Sequence, residues 1–255
     1  MTGDGEPPPG SPSRRRGPLL LALGAGALLA ALTLVWVPLP RIALLRYRDP
    51  SSTAFIDARR ARLLRQGKDD RIDRRPVPLE RVSPNLVRAV IAAEDARFFD
   101  HHGIDWEAIR WARQRNRRYP HRPPLGASTI TQQLAKNLFL SPERSLARKV
   151  REAAIALALE AFLPKRRILE LYLSSIEWGD RVYGCEAAAR RTFGVPAAAL
   201  SRSQAAWLAA MIPGPRLYLA HPGRLARRAA RIERRLAAGA SSTPVLDAAD
   251  DDAPR

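Results

Sequence analysis

No charged side chain stands between Arg16 and Arg41. The intervening run, GPLLLALGAGALLAALTLVWVPLP, would extend roughly 36 Å as an α-helix, enough to cross a bilayer. A cleaved signal peptide is the competing interpretation, but the run is long for one and no clear small-x-small cleavage site precedes Pro38 and Pro40. An uncleaved transmembrane anchor over residues 18–40 is expected. Arg14, Arg15 and Arg16 precede it while Arg41, Arg46 and Arg48 follow it closely, so flanking charge does not set its orientation.

The remainder of the 255 residues divides by composition. Residues 1–17, rich in Pro, Gly, Ser and Arg, and residues 239–255, acidic and without a periodic apolar face, are expected to be disordered tails. Residues 41–76 form an Arg-rich connector whose apolar positions are too sparse for a core element, which places it against the membrane surface or the domain. The body is expected over residues 77–238. A hydrophobic content of 46% supports a real core there. Lys and Arg number 43 against 25 Asp and Glu, a net charge of +18, which points to a polyanionic partner: nucleic acid, anionic lipid or a phosphorylated substrate. The single cysteine, Cys185, excludes an intramolecular disulfide and a cysteine metal cluster, and is expected to be a small buried apolar residue.

Helix punctuation dominates the body, and strand-like alternation is scarce, so the fold class is mainly α. Ser83 and Pro84 form an N-cap with proline at the first helical position, opening NLVRAVIAAED. Ser141 and Pro142 repeat the device before a segment that Pro164 stops. KRRILELYLSSIEWG places Ile168, Leu169, Tyr172, Leu173 and Ile176 at helical spacing and ends at Gly179. Ser201 with Gln204, and Thr129 with Gln132, are capping boxes.

Within this frame EDARFFDHHGID concentrates four acidic residues in a basic chain. Val87, Val90, Ile91, Glu94 and Phe98 follow helical spacing, so Glu94 extends an apolar face, where desolvation raises a carboxylate toward proton-transfer range. Asp95 is expected in a wetter place, paired with Arg97 or with a neighbouring chain, and His101 is expected to cap the helix end or hydrogen-bond the turn at Gly103. A buried salt bridge or a capping network would use the same residues. Thr129, Gln132, Gln133 and Lys136 share a helix face that suits a sugar or phosphate, or else a solvated surface. Arg144, Arg148 and Glu152 align at i, i+4, i+8 with Lys149 adjacent: a cationic clamp for pyrophosphate, or an ordinary helix ion pair.

Taken together, these segments resemble the peptidoglycan glycosyltransferase family, and especially its monofunctional members. E-D-x-x-F-x-x-H-x-G is filled by Glu94, Asp95, Phe98, His101 and Gly103; G-[GA]-S-T-[IL]-[ST]-Q-Q-x-x-K-N by Gly126 to Asn137; R-K-x-x-E by Arg148, Lys149 and Glu152. K-x-x-I-L-x-x-Y-L-N is met by Lys165, Ile168, Leu169, Tyr172 and Leu173, with Ser174 in place of the asparagine. A last basic motif, R-x-x-x-[VI]-L, is matched only loosely around Arg228, Arg231, Ile232 and Leu236, and Pro213, Gly214 and Pro215 replace a Pro-Asn-Pro turn.

The resemblance implies a lysozyme-like helical domain on a single-pass anchor, with its catalytic side on the periplasmic face of the inner membrane, polymerising lipid II without transpeptidation. It implies Glu94 as general base and Glu152 as a second catalytic carboxylate. Asp95, Phe98, His101, Ser128, Thr129, Gln132, Gln133, Lys136, Asn137, Arg144, Arg148 and Lys149 are then the expected substrate contacts. Lipid II and the growing glycan strand are the implied partners, with anionic membrane lipids and other cell-wall synthesis or division proteins beside them, and no nucleic acid. No cofactor is required and no dedicated metal cluster is legible, although a divalent cation helps some members of the family. The rivals are a lytic transglycosylase, which needs no cation cluster because its leaving group is a sugar, and a membrane-anchored scaffold without catalysis.

Overall fold

The structure, a computed structural model, describes residues 37–143 and 145–238 together with Gly24 and Gly26. The expected anchor and both expected tails fall almost entirely outside the described residues, as does Arg144. Among the described residues no helix is long and apolar enough to cross a membrane. Residues from Pro38 onward form one compact unit.

That unit is mainly α, as expected. Its described helices are α1 (Leu39–Leu44), α2 (Ala54–Arg65), α3 (Pro84–Glu94), α4 (Trp106–Arg118), α5 (Ile130–Phe139), α6 (Leu146–Phe162), α7 (Lys165–Ser175), α8 (Cys185–Phe193), α9 (Arg202–Met211), α10 (Pro215–Ala220) and α11 (Pro222–Ala237). A small sheet of order β1-β3-β2 is made by Asp73–Arg74 (β1), Glu177–Gly179 (β2) and Val182–Tyr183 (β3). One group packs α9 against α3 and α11, where Ala205, Ala209 and Ala210 on α9 are buried and let the helices approach closely. A second packs α5 against α6, α7 and α2 through Ile130, Leu134, Ile155, Leu159, Ile168 and Tyr172, all buried.

Local signals explain the helix starts. The Ser83 hydroxyl accepts from Asn85 N, and both capping boxes form, with Thr129 and Ser201 each exchanging hydrogen bonds with a glutamine three residues on. Cys185 is buried, and burial pushes its thiol up to about 12.

Three expectations are corrected. The connector does supply core residues: Ile42 and Leu45, and Ile56 and Leu63 of α2, are buried, because in α2 one apolar residue every two turns is enough when α5 covers that stripe. Helix α6 starts at Leu146, not after Ser141, because Ser145 accepts from Arg148 N and supplies the cap. Helix α7 stops at Ser175, and the next residues become β2 because β3 offers ladder partners.

Candidate active site

Helix α3 ends at Glu94 because Asp95 leaves helical space at φ −164°, ψ 74°. The side chain thus leaves the helix at the edge of a narrow cleft walled on the other side by the 126–129 loop. It is 9% exposed, accepts from Gln133 Nε2 at 2.9 Å through Oε2, and places Oε1 3.4 Å from Arg228 Nη2. Burial pushes its pKa up; Arg228, Gln133 and Lys136 pull the other way, and Asp95 adds to the rise. The result is a carboxylate with a raised proton affinity and a fixed direction, as a general base requires.

Gln133 is itself held. The Tyr172 hydroxyl, on buried α7, donates to its Oε1 at 2.9 Å, and Asn137 Nδ2 donates to its backbone carbonyl at 2.8 Å. Burial first, then the charges of Glu94 and Asp95, push the Tyr172 phenol well above its usual range, so it stays a donor.

One turn beyond Gln133, Lys136 joins a cation group. Its pKa is lowered by burial, and it feels Glu152, Arg148, Lys149 and Glu94 in that order. Glu152, with 3% of its side chain exposed, accepts from Arg148 Nη1 at 2.9 Å and from Lys149 Nζ. Lys149 also donates to the hydroxyl of the exposed Ser128 at 2.9 Å, which ties α6 to the 126–129 loop. The i, i+4 ion pair exists, and with Lys149 it sets two cations on one carboxylate within the field of Lys136, a group of three cations and one acid. The group keeps net positive charge, suited to a phosphate dianion.

Six of the expected contacts are tied into the fold by bonds of their own. Asp95 is not the wetter carboxylate: it is buried, accepts from His101 Nε2 at 3.0 and 3.1 Å, and takes Ile130 N at 2.9 Å, so it joins α3 to the start of α5. Arg97 pairs with Glu107 and lies 3.8 Å from Asp105 instead. Phe98 is fully buried, edge-on to His101 and beneath the Lys165 ammonium at 4.4 Å. Thr129 donates to the Gly103 carbonyl at 2.6 Å, Gln132 is consumed by the capping box, and Asn137 is turned back onto its own helix. Gly103, at φ +87°, lies so close to α6 that a Cβ would stand 3.2 Å from the Ala156 carbonyl oxygen. Asp95 and Thr129 also line the cleft beside Glu94, whereas Phe98, His101, Gln132 and Asn137 are buried and support it. On the expected polar face of α5, Gln133 and Lys136 stay partly open. Glu94, Ser128, Gln133, Lys136, Arg148, Lys149 and Glu152 are brought together.

Arg228, which the last basic motif matches only loosely, is the site residue that the sequence reading gave no role. Its signal was present in the strongly amphipathic, arginine-rich α11, which α9 and α3 hold across from Glu94. The fold also gathers Asp95, His101 and Asp105, with ligand atoms within 4.8 Å of one another. This set does not fit a resident cation: Asp95 serves His101 and Ile130 N, Asp105 Oδ1 caps α4 through Ala108 N at 2.9 Å, and the Arg97 guanidinium lies alongside.

The chain matches the Transglycosylase family model over residues 60–237. It is 47% identical over 217 residues to a biosynthetic peptidoglycan transglycosylase of Laribacter hongkongensis, covering 84% of this chain and 94% of that one. A protein of the same description from Azoarcus sp. (strain BH72) is 48% identical, with 83% and 93% covered, and one from Thiobacillus denitrificans 54% identical over 175 residues, with 69% and 75% covered. With the matched span containing the whole of the Glu94 and Glu152 groups, this chain belongs to the transglycosylase family.

Proposed function

We propose that the protein polymerises lipid II into β-1,4-linked glycan strands, with Glu94 as the base. The 4-hydroxyl oxygen of the acceptor GlcNAc attacks the anomeric carbon of the donor MurNAc as its proton passes to Glu94. The donor's C1–oxygen bond breaks, and undecaprenyl pyrophosphate leaves with the bonding pair. A single displacement inverts an α-linked donor into a β product.

The observation that carries this is Lys136, one turn from the residue that holds Glu94 and in the field of Glu152, Arg148 and Lys149. Base and leaving-group site are thus coupled through one helix. Gln133 and Arg228 orient Glu94; Lys136, Arg148 and Lys149 receive charge that develops on the pyrophosphate. Glu152 holds the last two cations in place. A glycan-cleaving enzyme would have no use for this cation group.

Membrane attachment through residues 18–40, with the catalytic unit on the outer face of the inner membrane, completes the proposal. It is supported by the uncharged run and by an exposed stripe on α6, where Leu146, Val150 and Leu157 are 88%, 62% and 50% exposed. The test is polymerisation of purified lipid II by the detergent-solubilised protein beside Glu94→Gln. Glycan strands from the wild type and almost none from the variant are expected; equal polymer from both would remove Glu94 from the mechanism.

A further inference from the structure

A cavity of about 610 Å³ lies between α1, the 48–57 segment and the end of α5, away from Glu94. Its wall is amphiphilic. Arg41, Arg48 and Arg151 supply cationic groups, and Leu44, Leu138 and Phe139 supply apolar surface. Two acidic residues also line it, and both are engaged: Asp49 pairs with Arg167 at 2.8 Å, and Asp57 accepts from the Ser52 hydroxyl at 2.5 Å. Arg41 and Arg48 are exposed, and neither makes an ion pair among the described residues.

The wall is also fixed in place. Arg167 donates from α7 to the Leu45 carbonyl at 2.8 Å, and Arg74 from β1 to the Pro50 carbonyl at 2.7 Å. Nothing in the catalytic arrangement uses these contacts. A rigid pocket with the exposed Arg41 and Arg48 guanidiniums on one side and leucine and phenylalanine on the other matches a molecule with a phosphate head and an acyl chain. Its first wall residue, Pro38, stands at the end of the uncharged run, so the pocket begins where the chain would leave a bilayer.

We propose that this cavity binds one anionic phospholipid by its phosphate headgroup, through Arg41 and Arg48 with Arg151 behind them, at a site distinct from that of the polymerised substrate. The lipid fixes the catalytic unit at a set height on the membrane surface. The proposal uses the membrane attachment argued above only as the source of the lipid, so binding is read without activity.

The full-length protein in detergent is given phosphatidylglycerol or phosphatidylcholine, and bound lipids are counted by native mass spectrometry. One phosphatidylglycerol retained per chain, and no phosphatidylcholine, is expected. Arg41→Ala with Arg48→Ala should weaken retention about tenfold or more, at roughly the contribution expected of two arginines beside an anionic headgroup. Arg62→Ala with Arg65→Ala, two exposed arginines of α2 outside the cavity, should leave it unchanged. Equal loss in both double variants would show that diffuse charge, not a site, holds the lipid. Displacement of phosphatidylglycerol by a polyprenyl pyrophosphate would make the cavity part of the substrate site; either result, or no retention by the wild type, overturns the proposal. Failure here leaves lipid II polymerisation by the wild type intact, whereas failure of the catalytic proposal leaves lipid retention intact.

Discussion

The Tyr172 hydroxyl donates to Oε1 of Gln133 at 2.9 Å, and this turns the amide's Nε2 toward Glu94. A buried phenol on α7 thereby sets the direction of a carboxylate at the end of α3. Tyr172→Phe should keep the fold and lose about tenfold in kcat, since a neutral hydrogen bond is worth about 1 kcal/mol and an unpaired buried acceptor costs more. Steady-state kinetics beside a circular dichroism spectrum decide it. Wild-type kcat in the variant would mean Gln133 needs no help to orient Glu94.

Glu94 accepts a proton only when ionised, and burial raises its pKa. The acid limb of kcat/KM is therefore expected above the ordinary carboxylate range, about 4.3. Arg228 opposes that rise, so Arg228→Ala should move the limb to still higher pH. A limb that stays in place in a pH–rate profile would break the link between the two residues.

The raised pKa carries a stability sign as well. Protonated Glu94 is the form the fold favours, so its contribution is full below the unfolded-state pKa and is lost as pH rises through the higher folded value. Glu94→Gln removes that titration. The stability gap between wild type and variant, followed by thermal melting, should shift in favour of the variant as pH rises through that window, while activity falls by about 10² to 10⁴.

Glu152 is the shared acceptor of Arg148 and Lys149. Replacing it with Gln leaves Arg148, 16% exposed, beside a neutral amide, which should cost roughly 1–3 kcal/mol of stability. Lys149 is 45% exposed and adds little to that loss. Lipid II polymerisation should fall as the cations lose their fixed places. A variant as active as the wild type would show that the cations hold their geometry unaided.

Asp95 is a joint between α3 and α5. Asp95→Ala should therefore destabilise by about 2–4 kcal/mol, since it orphans Ile130 N and His101 together. Chemical denaturation would register this as a lower midpoint. A stable variant with a raised KM for lipid II would make Asp95 a substrate contact and not a joint.

Much of the fold was legible because its helices advertise their ends chemically. Ser83, Thr129 and Ser201 cap by contacts within four residues, and such contacts depend on nothing distant. Helix α7 was read too long for the converse reason: Ile176 keeps helical spacing with Tyr172 and Leu173, and β3, which claims Glu177–Gly179 as a strand, comes later in the chain.

The sequence by itself determined the helical class, the acid at the end of α3 and the cations of α6, since each follows from residue type and spacing along one element. Tertiary structure alone decided which of the matched residues face the site. Phe98, His101 and Gln132 stand in the same motifs as Glu94 and Gln133, yet packing between α3, α5 and α6 turns the first three inward and leaves the other two partly open. It also decided that Arg228, 134 positions from Glu94, completes the carboxylate's surroundings. A side chain's neighbours across the core depend on how helices cross, and periodicity along one helix carries no record of that crossing.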